Sequence, residues 1–96
     1  MHDDLARDEA ALQARLSGRS FVAIAGDMGY PNARAALAAY RRAVLRKPIP
    51  EQKTIRARER KRFEAMRKAV RGNTALTPAE VEQRMAHIER LSAALG

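Results

Sequence analysis

Four breaks divide this chain: Gly18, "GYPN" at 29–32, "KPIP" at 47–50, and the stretch from "GN" at 72–73 to "TP" at 77–78. Proline lacks a backbone donor and glycine takes left-handed angles freely, so such positions end helices. Between the breaks, Ala, Leu, Arg, Glu and Gln dominate, all strong helix formers. β-Branched residues are few and never alternate with polar ones, which argues against strands. The punctuation therefore predicts an all-α fold of five helices, over about residues 4–17, 21–28, 33–46 and 51–71, with a fifth from about 77 onward.

Each segment carries local signals. Asp3 or Asp4 is placed to cap the first, with Asp8 and Glu9 near the positive end of its dipole. Leu5, Leu12 and Leu16 share one face there, and Gly18 suits the residue after the helix. Ser20 caps the second segment, where Phe21, Ile24, Ala25 and Met28 follow the i, i+3, i+4, i+7 pattern. Asn32 caps the third, with Ala36, Leu37, Tyr40 and Val44 as its inner face. The fourth, "EQKTIRARERKRFEAMRKAVR", has a thin stripe of Phe63, Met66 and Val70, with Ile55 isolated upstream. In the fifth, Thr77, Pro78 and Glu80 form a capping box. Val81, Met85, Ile88 and Leu95 then make a seam close to that of a coiled coil, widened by Leu91. The break at 47–50 separates a three-helix N-terminal domain, 1–47, from a two-helix C-terminal arm, 51–96.

Several classes of chemistry find no support. There is no cysteine, so neither a disulfide framework nor a thiolate metal site can form. His2 and His87 are isolated from each other and from ligand-spaced partners, which leaves no metal site and no cofactor site. No nucleophile elbow, Walker motif or glycine-rich phosphate loop occurs, and the sequence reads as non-catalytic. The acidic start "MHDDLARDEA" is unlike a secretory signal, and no apolar run approaches the ~20 residues of a membrane span. The expectation is an intracellular protein without a membrane role.

The net charge of +8 is unevenly placed. Residues 1–30 carry −2, residues 31–50 carry +5, residues 51–72 carry +6 and residues 73–96 carry −1. Clustered Lys and Arg suit a polyanion, because they release counterions from a phosphate backbone. A solvated face rich in salt bridges is the blander reading.

A helix-turn-helix needs a short first helix, a tight turn, and a second helix docked across it. Ala25 and Gly29, four apart, supply the small residue at the crossing and the flexible one at the turn. Tyr30-Pro31-Asn32 then makes the turn and the cap, and Asn32 is also a candidate for DNA contact. On the third helix Arg34, Ala38 and Arg41 lie at i, i+4 and i+7, pointing away from the apolar set. Arg34, near the start of that helix, is the candidate for a guanine edge in the major groove. Arg41 and Arg42, and beyond them Arg46 and Lys47, are candidates for phosphate. Arg19, Ser20 and the first amides of the second helix are placed to hold another phosphate. A generic three-helix bundle with an exposed arginine face is the alternative.

The stretch "LSGRSFVAIAGDMGYPNARAALAAYRRAV" resembles the N-terminal helix-turn-helix of phage-encoded DNA-binding proteins, including terminase small subunits. Gly18, Ser20, Ile24, Ala25, Gly29, Tyr30, Arg42 and Ala43 carry the likeness, which covers about residues 11–46. "EVEQRMAHIERLSAALG" is loosely similar to the last helix of such proteins. The resemblance implies double-stranded DNA as partner, at a packaging site in a bacterial cytoplasm. It also implies assembly into a homo-oligomeric ring that presents DNA to the terminase large subunit. Phe63, Met66, Val70, Val81, Met85, Ile88 and Leu95 are then the oligomerisation residues. Two other readings stay open: a dimeric transcriptional regulator (repressor or excision factor), and a helical adaptor or inhibitor that binds an acidic protein surface.

Overall fold

The computed structural model describes residues 2–95, with side chains from Asp4 to Leu95. These residues form five helices and no strand: α1 (His2–Leu16), α2 (Phe21–Met28), α3 (Ala33–Leu45), α4 (Ile49–Arg71) and α5 (Pro78–Leu95). α1 already runs from His2, so Asp4 lies inside it rather than at its cap, and the Asp3 side chain lies outside the described residues. α4 starts before residue 51, because Pro48 supplies the first acceptor: the Gln52 amide donates to its carbonyl at 3.0 Å. Pro50 sits in the first turn, where a missing N–H costs nothing.

Two compact units divide within α4, Met1–Gln52 and Lys53–Gly96. In the first, α1, α2 and α3 pack against one another. Leu12, Ile24 and Phe21 meet the inner face of α3, which consists of Ala36, Ala39, Tyr40, Ala43 and Val44. Leu37 is only half-buried, contrary to the expected inner face. The three alanines let α3 lie close to its neighbours, and bulk comes from the other helices. The Phe21 and Tyr40 rings meet edge to face at 5.4 Å, and the Arg15 guanidinium lies 4.3 Å from the centre of Phe21. Such contacts add about 0.5–1.5 kcal/mol beyond area burial.

α1 departs most from expectation. Leu5 is exposed, and the buried positions are Asp8, Ala11, Leu12 and Arg15. The spacing is helical, but the stripe begins and ends in a charge.

The caps of this unit are local. Ser20 Oγ accepts from the Ala23 amide at 3.1 Å, and Asn32 Oδ1 accepts from the Ala35 amide at 2.9 Å. Gly29 takes φ +74° to close α2, a left-handed conformation that favours glycine. The Gln52 side chain donates to the Lys47 carbonyl at 2.8 Å, closing the far end of α3.

In the second unit, Phe63 and Val70 of α4 and Ile88 of α5 are buried together. Met66, Leu76, Val81, Met85, Leu91 and Leu95 pack half-buried around them. Thr77 and Glu80 form the reciprocal capping box, at 3.0 and 3.2 Å. Arg67 Nε donates to Glu89 Oε1 at 2.7 Å, tying α4 to α5.

Candidate nucleic-acid interface

The packed face of α3 fixes its outer face. With Ala36, Ala39, Tyr40, Ala43 and Val44 inward, the 100° step per residue puts Arg34, Ala38, Arg41 and Leu45 on the opposite side. Arg34 and Arg41 are exposed and make no hydrogen bond or ion pair among the described residues. They stand seven residues apart, about 10 Å along the axis. Ala38 is half-buried between them, and Leu45 is 62% exposed. Sequence reading missed Leu45, although its spacing of four from Arg41 was visible.

The other cations of the basic stretch are engaged within the unit. Arg42 Nε and Nη2 each donate to an Asp8 oxygen at 3.0 Å. Arg46 Nη1 donates to the same carboxylate at 2.9 Å. Lys47 Nζ donates to Glu9 Oε1 at 2.8 Å, and Gln13 Nε2 reaches that oxygen at 3.1 Å. Asp8 is only 2% exposed. The Arg42 hydrogen bond outweighs the cost of burial and holds the Asp8 carboxyl below the usual carboxylate range, with help from Arg46. In return the Asp8 hydrogen bond raises Arg42 above the usual guanidinium value. Lys47, then Gln13, lower Glu9 in the same way.

The remaining candidates are also occupied. Arg19 pairs with Asp27 of α2. Ser20 and Asn32 serve as caps. Thus four of the cations singled out from sequence (Arg19, Arg42, Arg46 and Lys47) have acidic partners, while Arg34 and Arg41 project without one. The turn before α3 is held from α1. Arg7 donates to the Met28 carbonyl at 2.8 Å and lies 4.7 Å from the centre of the Tyr30 ring, whose hydroxyl donates to the Arg7 carbonyl at 3.4 Å.

The second unit has an open groove of about 420 Å³ between the end of α4 and α5, lined by Met66, Ala69, Val70, Arg84, His87 and Ile88 among others. The residues assigned from sequence to oligomerisation are brought together here, largely within one chain. Among the described residues no three His, Cys, Asp or Glu side chains gather as a metal would need, and no helix is long and apolar enough to cross a membrane.

No protein family, curated protein or solved structure matches the chain.

Proposed function

We propose that this chain is a non-catalytic double-stranded DNA-binding protein in which α2, the Gly29–Asn32 turn and α3 act as a helix-turn-helix. Arg34 and Arg41 supply the contacts to DNA, with Arg34 at a base edge and Arg41 at phosphate. The observation that carries this reading is the contrast along α3 and the two residues that follow it. Three cations are neutralised against α1, while two on the far face are held out with no partner. A merely solvated bundle has no need to sort its arginines in this way. Within this class the resemblance of the sequence favours a terminase small subunit that assembles through its second unit.

One observation favours a smaller assembly. Phe63, Val70 and Ile88 are already buried within a single copy, which leaves the 420 Å³ groove as the surface a second copy would fill. A dimeric transcriptional regulator is therefore the second reading.

Light scattering on the full chain, with and without a mixed-sequence duplex, tests both. The packaging reading expects a particle of many subunits that takes up duplex at low salt and releases it at high salt. A dimer that binds DNA supports the regulator instead. A particle whose mass is unchanged by duplex at low salt contradicts both and leaves the adaptor on an acidic protein surface.

A further inference from the structure

The second unit carries a basic surface that a reading head on α3 does not use. Lys53, Arg56 and Arg60 of α4 are exposed, and none has a hydrogen-bond or ion-pair partner among the described residues. They lie at i, i+3 and i+7, so they fall within about 60° of one another around the helix and span about 10 Å of its length. The stripe of Ile55, Glu59 and Phe63 beside them is buried. Arg67 and Arg71 continue the flank toward the end of the helix, where both act on the Glu89 carboxylate. Glu64 is the exposed acid at its edge, and Glu59 on its other side is buried. Residues 53–96 hold eleven basic side chains against five acidic ones, so this unit carries most of the net charge of the chain.

The chemistry of the flank narrows its partner. A helix that binds a membrane surface inserts an apolar face beside its cations. Here the apolar side of α4 is taken up by Phe63 and Val70 in the core of its own unit, and the flank from Lys53 to Arg60 offers no apolar contact. It also offers no aromatic surface for stacking unpaired bases. Regularly spaced, unpaired cations on a helix suit a repeating anion, and that is the phosphate backbone of a duplex. The geometry points to the Lys53–Arg56–Arg60 flank of α4 as a second, sequence-independent phosphate-binding surface. This inference rests on the reading of the chain as a duplex-binding protein. It divides the labour: α3 supplies sequence preference, and α4 supplies attraction to any duplex.

The test is the salt dependence of duplex affinity for the full chain. The substitutions are Lys53→Gln, Arg56→Gln and Arg60→Gln together, all at exposed positions, with folding checked by circular dichroism. Loss of three phosphate contacts lowers the slope of log affinity against log salt by about 2.7. Between 50 and 200 mM salt the wild type should then lose about 40-fold more affinity than the variant, on every duplex alike. If the triple variant fails to fold, each single substitution should lower the slope by about 0.9. Lys61→Gln with Lys68→Gln, about 60–80° further round α4 from Lys53, is the control. A slope lowered by about 1.8 in that pair, the same per charge as in the triple variant, would mean diffuse charge rather than a defined surface, and would overturn the proposal. An unchanged slope in the triple variant overturns it too, while leaving the role of α3 standing if Arg34→Ala still alters sequence preference. Absence of salt-dependent duplex binding in the wild type overturns both.

Discussion

Asp8 occupies a position on α1 where helical spacing calls for an apolar side chain, one turn before Ala11 and Leu12 on the buried side. Its carboxylate is buried and receives three hydrogen bonds from α3 and its C-cap, two from Arg42 and one from the side chain of Arg46. Removing a carboxylate from water costs several kcal/mol unless good partners replace the solvent. The arrangement is asymmetric, because the two guanidinium groups are about half exposed while the carboxylate is not. Asp8→Asn should therefore cost only about 1–2 kcal/mol, since water can take over the arginines. Arg42→Ala with Arg46→Ala strands the carboxylate and should cost about 3–5 kcal/mol. Urea denaturation at neutral pH measures both, and equal costs would contradict the asymmetry. The pH dependence has a definite sign. The folded carboxyl titrates below its unfolded value, so its contribution is present above the ordinary carboxylate range and lost as pH falls through the depressed value. Asp8→Asn should be less sensitive to acid than the wild type. None of this was legible in the sequence, because the partners of Asp8 lie 34 and 38 residues away. The caps Ser20, Asn32 and Thr77 were legible, because each bonds a residue three positions on.

At the scale of the element, α2 separates what packing demands from what propensity prefers. Ala25 is 5% exposed in the core, whereas Gly26 beside it is exposed and has nothing within 4 Å of where a Cβ would stand. Ala25→Leu should therefore destabilise the first unit by about 1–3 kcal/mol through overpacking. Gly26→Ala should stabilise it by about 0.5–1 kcal/mol, since alanine restricts the unfolded chain and favours helix. Thermal melts of the two variants should move in opposite directions, and a drop for both would contradict the helical, uncrowded setting of Gly26. The faces of α2 were readable because large apolar residues mark them. The face of α3 was read correctly at Ala36, Tyr40 and Val44 but not at Leu37, which draws attention by its size, while Ala39 and Ala43, also in the core, give a weak signal. The start of α4 was misplaced for a related reason. "KPIP" reads as a stop, but Pro50 also suits the first turn of the next helix.

For the whole molecule, the sequence break near residue 47 proves to be the end of α3 and not the limit of the first unit, which runs on to Gln52. The two units differ in charge. Residues 1–52 carry eight basic and six acidic side chains, and much of that charge is paired internally. The first unit therefore exposes few unpaired cations, each at a defined place, while α4 exposes many. This distribution suits a protein that finds duplex DNA through one unit and reads it through the other. On this reading Arg34 reads a base. Enrichment of binding sites from a random-sequence duplex pool, carried out in parallel with wild type and Arg34→Ala, tests it most directly. The wild type should enrich a defined site, and Arg34→Ala should lose preference at one base position, at a cost of about 1–3 kcal/mol on the best site. Identical enriched sites for the two proteins, or no enrichment by the wild type, would contradict it.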